Sequence, residues 1–160
     1  RRSGEGAQRW IRPQWPAAAQ MGFVSGLLMD YRGDEATSVS ELKRLVRRFV
    51  EERDWDQFHT PKDLAIGLSV EAAELLEHFR FRSDEEMEDR LRDEARRAEI
   101  GHELADVLYF VLLMSANLGY DVSTILRDKL ELSARKYPVD RARGVNVKYT
   151  ELNTDSRESN

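Results

Sequence analysis

From Ser38 onward, apolar and polar residues alternate with the period of an α-helix. Val39, Leu42, Leu45, Val46, Phe49 and Val50 recur at three- and four-residue steps. They predict an amphipathic helix to about Arg53. Ser38-Val39-Ser40-Glu41 ahead of it reads as a capping box, with the hydroxyl on a backbone N–H and the glutamate reaching back. Thr60-Pro61 starts a second helix, with Thr60 as N-cap and Pro61 at the first position, where its missing N–H costs nothing. Leu64, Leu68, Leu75 and Phe79 carry it to about Arg80, with Glu77 and His78 expected toward solvent. Ser83-Asp84-Glu85-Glu86 is another helix start. The stretch to about Arg97 is nearly all charge, with Met87 and Leu91 as anchors, and predicts a short exposed helix. From Ala98 the composition turns apolar and a third core helix runs to the stop signal Asn117-Leu118-Gly119. Asp121 caps a last helix that points Val122, Ile125, Leu126, Leu130 and Tyr137 mostly inward and ends at Pro138. From Val139 the periodicity is lost and an extended run is expected.

No strand pattern interrupts this series, so the predicted class is all-α, a four-helix bundle. The third core helix, Leu104 to Leu118, is apolar on nearly all sides. Such a helix is fully enclosed, and so few helices cannot enclose it within one chain. A homo-oligomer follows. Residues 1–37 hold Pro13, Pro16 and an alanine run without a sustained period, and read as a flexible leader. It includes upstream sequence if Met21 or Met29 is the true start. Residues 38–152 are the folded domain, and the polar stretch 153–160 is a disordered tail.

Two helices carry the candidate chemistry. Glu71-Ala72-Ala73-Glu74 and Glu103-Leu104-Ala105-Asp106 each place two carboxylates at i and i+3, on one helical face. Acids at that spacing usually lie in water. Here Glu71 and Glu74 interrupt a face made by Leu64, Leu68, Leu75 and Phe79, and Asp106 opens the uncharged run Val107 to Met114. Carboxylates among apolar neighbours are costly unless protonated, paired or bound to a metal. Two antiparallel helices would bring the four together, where a divalent cation relieves their repulsion. Hard oxygen donors select Mg²⁺, in preference to a set of structural salt bridges. Between the first two helices lies Asp54-Trp55-Asp56-Gln57-Phe58-His59. It is either a packed loop closing the bundle end or a lip that stacks on a flat ring and hydrogen-bonds its edge.

Composition narrows the remainder. The chain has no cysteine, which excludes disulfides and thiolate metal sites. A net charge of −5 with no basic stripe argues against nucleic acid as partner. The longest uncharged stretch near the N-terminus, Met21 to Met29, is too short to span a bilayer, so a cytoplasmic protein without a membrane partner is expected. Glycine-rich phosphate loops, G-x-S-x-G, H-E-x-x-H and C-x-x-C do not occur.

Glu71-x-x-Glu74, a spacer of 28 residues and Glu103-x-x-Asp106 together resemble the MazG-like, all-α nucleoside triphosphate pyrophosphohydrolases. Arg53-Asp54-Trp55-Asp56-Gln57-Phe58-His59 and the late Lys148-Tyr149-Thr150-Glu151-Leu152 are similar to its dCTP pyrophosphatase-like branch. The resemblance covers about Val39 to Leu152. It implies a Mg²⁺-dependent helical dimer or tetramer that cleaves a nucleoside triphosphate between its α- and β-phosphates. On that likeness Glu71, Glu74, Glu103 and Asp106 match metal ligands, and Trp55, Asp56, Gln57, Phe58 and His59 match a substrate-contacting stretch. Lys129 matches a basic residue on the last helix, which with Arg135 or Lys136 would meet the leaving phosphates. Val46, Phe81, Phe110 and Ser133 stand where the branch tends to have His, Trp, Tyr and Asn. Phe81 and Phe110 would complete an apolar cage with Trp55 and Phe58, with fewer polar handles on the base. Charge sets the mechanism: bound Mg²⁺ neutralises the triphosphate and orients a water for in-line attack, and Glu74 is the candidate general base. Two rivals remain. A ferritin-like di-iron protein wants two Glu-x-x-His motifs, and only Glu99-Ile100-Gly101-His102 is present. A non-enzymatic helical interaction module leaves the apolar setting of the acids unexplained.

Overall fold

The computed structural model describes residues 33–152. The tail from 153, and the leader up to 32, lie outside the described residues. The chain divides into Arg1–Thr37 and Ser38–Asn160, and the second unit carries everything below. Among the described residues it is wholly helical. It comprises α1 (Val39–Glu51), a 3-10 turn (Asp56–Phe58), α2 (Pro61–Glu77), α3 (Asp84–Arg92), α4 (Glu94–Asn117), α5 (Val122–Lys136), α6 (Val139–Ala142) and α7 (Tyr149–Leu152).

The caps expected from local sequence are in place. The Ser38 hydroxyl accepts the Glu41 N–H at 3.2 Å while Glu41 accepts the Ser38 N–H at 2.7 Å. Thr60 and Asp121 accept the N–H groups of Asp63 and Thr124. Two boundaries differ from expectation. The charged stretch after Ser83 is two helices rather than one, because Asp93 is extended and its carboxylate accepts the Arg96 N–H, restarting the helix as α4. The run after Val139 is not extended but closes two short helical turns. In the first, the Pro138 carbonyl accepts the Arg141 and Ala142 N–H groups at 3.0 and 2.9 Å. Such turns are local and need no hydrophobic period.

α4 ends as its glycine predicts. Tyr120 donates to the Ser115 carbonyl at 2.8 Å and Gly119 to Ala116 at 3.2 Å, with Gly119 at φ 72°. This is a Schellman motif. α1 ends in the same motif without a glycine. Trp55 donates to Val50 and Asp54 to Glu51, both at 3.1 Å, and Asp54 takes the left-handed position at φ 52°. The motif turns the chain sharply and lays Trp55 against Phe49, ring centroids 5.9 Å apart.

α2 packs on α4 over the longest interface, with α1 and α3 also against α4. Val50, Leu64 and Leu113 are fully buried where the end of α1, the start of α2 and the later half of α4 meet, and Val46, Phe49, Tyr109, Phe110 and Met114 surround them. Leu64 and Leu113 share that cluster, while Glu71 and Asp106 interact farther along. α2 and α4 therefore run antiparallel. α5 leaves α4 at 104° and has no comparably extensive contact with the other helices. Its Ile125, Leu126 and Leu130, expected inward, are exposed, as are Leu104, Leu108 and Val111 along one side of α4. The chain's described residues do not cover these faces. No single helix among them is long and apolar enough to cross a membrane.

Candidate active site

The core face of the α2–α4 pair continues directly into the acidic face. Residues i and i+7 share a helical face, about 10.5 Å apart along the axis. Buried Leu64 is thus aligned with Glu71 on α2, and buried Leu113 with Asp106 on α4. Pairing of the two helices through the leucines brings the acids opposite one another two turns away. Glu71, Glu74 and Glu103 each offer a carboxylate oxygen, all within 4.8 Å of one another. Asp106 sits close enough to act on Glu71 electrostatically. The Glu71 carboxyl is pushed above its ordinary value, first by burial and then by the charges of Glu74, Asp106 and Glu103. No histidine belongs to the cluster. Half-buried Glu71 and Glu103 form its inner part with exposed Glu74 at the edge, while Asp106, expected as a fourth ligand, is exposed and is not among the three whose oxygens converge. An all-carboxylate set suits a hard divalent cation such as Mg²⁺.

The Trp55 loop is fixed from several sides. Arg47 of α1 donates to Asp56 at 2.6 and 3.3 Å, to Glu51 at 3.0 Å and to the Asn117 side-chain oxygen at 3.0 Å. Asn117 in turn donates to the His59 carbonyl at 3.4 Å. The Asp56 carboxylate, ahead of other causes, holds the Arg47 guanidinium above its usual range. Gln57 donates to the carbonyl and the carboxylate of Asp54 at 2.9 and 3.1 Å. The polar groups of Asp56 and Gln57, expected to meet substrate, are therefore engaged in shaping the loop. Trp55 and Phe58 present open faces, 42% and 63% exposed. The His59 ring stands edge-on to Trp55 at 6.4 Å, and its Nδ1 is buried without a partner.

A chain of edge-to-face rings runs from this lip to Phe110, one helical turn from Asp106 on α4. Trp55 meets Phe49, Phe49 meets Tyr109 at 6.1 Å, and Tyr109 meets Phe110 at 5.2 Å. The Arg53 guanidinium lies 3.7 Å from the Phe49 ring centroid. Burial pushes the Tyr109 hydroxyl upward in pKa, against a lowering influence of the Arg53 charge and with a smaller raising one from Asp106. None of Phe49, Arg53, Tyr109, Arg47 and Asn117 was given a site role from sequence. Phe49 and Tyr109 carry a helical period or an apolar run that core packing explains equally well, and the three polar residues carry no local signal.

Other expected site residues stand apart. Phe81 is 89% exposed just beyond α2, at φ 57°, with the Arg80 guanidinium 4.6 Å from its ring centroid. A cage of Phe81 with Trp55, Phe58 and Phe110 therefore does not close within one chain. Lys129 is exposed on α5. The Lys148-Tyr149 string folds back on the end of α5, with Lys136 5.1 Å and Tyr137 6.1 Å from the Tyr149 ring.

Comparison with known proteins shows what the chain is similar to. A profile of the MazG-like family matches residues 66–152. The chain is 35% identical over 115 residues to dCTP pyrophosphatase 1 of Homo sapiens, covering 72% of this chain and 68% of that protein. It is 34% identical over 122 residues to the Mus musculus dCTP pyrophosphatase 1, covering 76% and 72%. In three dimensions it is similar to a pyrophosphatase from Archaeoglobus fulgidus, with a TM-score of 0.57 and 39% identity over 62% of this chain and 91% of that one.

Proposed function

The chain belongs to the MazG-like family, and on that premise we propose that it hydrolyses a pyrimidine deoxynucleoside triphosphate, dCTP first. The products are the monophosphate and pyrophosphate, in nucleotide-pool control. The observation that carries this reading is the convergence of Glu71, Glu74 and Glu103 within 4.8 Å, with Phe110 and the ring chain leading to Trp55 one helical turn beyond neighbouring Asp106. An anion-binding metal and a flat base need these two surfaces side by side.

Glu71, Glu74, Glu103 and Asp106 would hold Mg²⁺, whose positive charge offsets that of the triphosphate and lowers the pKa of a bound water when the ion is present. Trp55 supplies a ring face for the base, and Phe49 with Arg53 keeps that ring from turning away. Glu74, exposed at the cluster's edge, accepts the proton of the water attacking the α-phosphorus. Lys129, with Arg135 or Lys136, meets the leaving phosphates. Asp56 and Gln57 act through the loop, setting the angle at which Trp55 and Phe58 are offered.

We also infer self-association as a dimer or tetramer. Leu104, Leu108 and Val111 form a stripe on α4, and Ile125, Leu126 and Leu130 are exposed on α5. Contiguous apolar faces of that kind mark interaction sites. Phe81 is a further large apolar side chain that one chain leaves open, at 89% exposure.

The di-iron alternative lacks its ligands, since the acidic cluster contains carboxylates alone. The test is a panel of ribo- and deoxynucleoside triphosphates assayed for pyrophosphate release with Mg²⁺. Preference for dCTP supports the reading. A purine triphosphate preferred more than tenfold over dCTP would contradict the base assignment.

A further inference from the structure

Gly67 lies in the interior of α2, where glycine weakens a helix relative to alanine, and no turn there requires it. Its reason is steric. A Cβ at position 67 would stand 2.4 Å from Cε1 and 2.5 Å from Cζ of Phe110. Ordinary carbon–carbon contact is about 3.5–4.0 Å, so the edge of the Phe110 ring occupies the space that any other side chain would fill. The position matters because of what flanks it. Gly67 is one turn before Glu71 on α2, and Phe110 is one turn after Asp106 on α4, so their contact lies between the acids and the buried leucines. The Phe110 ring also meets Tyr109 edge-on, at the inner end of the series that leads out to Trp55.

We propose that Gly67 is a specificity-determining residue. Its missing side chain lets Phe110 withdraw into the α2–α4 interface, and that withdrawal sets the width of the cleft that takes the base. The proposal rests on the reading of the acidic cluster and aromatic lip as a nucleotide site. An alanine at 67 forces the ring outward by about 1 Å to restore ordinary contact. A shift of that size is comparable to the room one small ring substituent needs, so the effect differs between substrates that differ only in base size.

The experiment uses dCTP and its analogues with methyl and bromine at C5 as steric gauges, with kcat/KM measured for each at saturating Mg²⁺. Gly67→Ala should lower kcat/KM for the 5-bromo substrate at least fivefold more than for dCTP. The Gly67→Ala, Phe110→Leu double variant should return the ratio to within twofold of wild type, since the shorter side chain no longer needs the slot. A folded, active Gly67→Ala enzyme with an unchanged ratio overturns the proposal. If Gly67→Ala does not fold, Phe110→Leu alone decides. It should raise the 5-bromo to dCTP ratio, and an unchanged ratio overturns the proposal equally. A wild type that hydrolyses none of the three substrates refutes the nucleotide reading beneath, and this proposal with it. An active wild type with unmoved ratios refutes the proposal alone.

Discussion

Replacing Glu71 by glutamine should raise the melting temperature of the metal-free protein while destroying its response to Mg²⁺. Glu71 faces Glu74 and Glu103 with carboxylate oxygens within 4.8 Å, and Asp106 adds to the same field. Two unit charges at that separation repel by about 3.5 kcal/mol at an effective dielectric of 20 and by about 0.9 kcal/mol in bulk water. Glu74 and Asp106 are exposed, so screening pulls each pair toward the lower figure. Removing one charge from the group should then relieve roughly 1–3 kcal/mol, which for an ordered domain of this size is about 3–10 °C in Tm. The sign with pH is fixed by the raised carboxyl of Glu71. The folded state holds that proton more tightly than the unfolded chain, so the penalty is absent below the ordinary value of 4.5 and grows as pH rises above it. The advantage of the variant should therefore shrink as pH falls through that range. Mg²⁺ at a hundred times its dissociation constant stabilises the wild type by about 2.7 kcal/mol and should leave Glu71→Gln nearly unmoved. Scanning fluorimetry in EDTA and in excess Mg²⁺ reads both effects, and the lead of the variant in EDTA should close or reverse in Mg²⁺. A variant that melts below wild type in EDTA, or gains as much from Mg²⁺, would refute the reasoning.

Three further outcomes are expected. Trp55→Ala should lower kcat/KM about ten- to a hundredfold, from a stacking contribution of roughly 1–3 kcal/mol, with an unaltered Mg²⁺ requirement. Unchanged kinetics would remove Trp55 from the site. Asp54→Gly should match or exceed wild-type stability by about 0–1 kcal/mol in urea titration, because relief at φ 52° offsets one lost contact with Gln57. A loss above about 1 kcal/mol would show that the Asp54 carboxylate matters more than the backbone strain. Analytical ultracentrifugation at micromolar concentration should give a dimer or tetramer, with Leu126→Glu and Leu130→Glu shifting it toward monomer. A clean wild-type monomer would contradict the assignment of the exposed α4 and α5 faces.

What the sequence made legible was local. Ser38, Thr60 and Asp121 announced helix starts because a cap needs only its own side chain and the next turn. The acidic pairs stood out because charges at helical spacing interrupted an otherwise apolar face. What escaped depended on distant partners. Nothing near Arg47 shows that it will hold Asp56 and reach across to Asn117, 70 positions away. The end of α1 was placed within two residues, but the motif that makes it carried no signal, because aspartate, not glycine, fills its left-handed position. The Asp93 break was masked by charges on both sides that suit either one helix or two. Nothing near Gly67 in the sequence shows that the Phe110 ring fills the space beside it. The direction of α5 was illegible for a different reason. Its period fixes which face is apolar, not what covers that face.

The central claim is that the acidic cluster, charged with Mg²⁺, cleaves a nucleoside triphosphate between its α- and β-phosphates. Phosphorus NMR of dCTP turnover tests it most directly, because the two possible bond cleavages give different resonances. The expected result is dCMP and pyrophosphate in equal amounts, abolished by EDTA and by Asp106→Asn. The appearance of dCDP with orthophosphate, or turnover undiminished without divalent metal, would contradict the account.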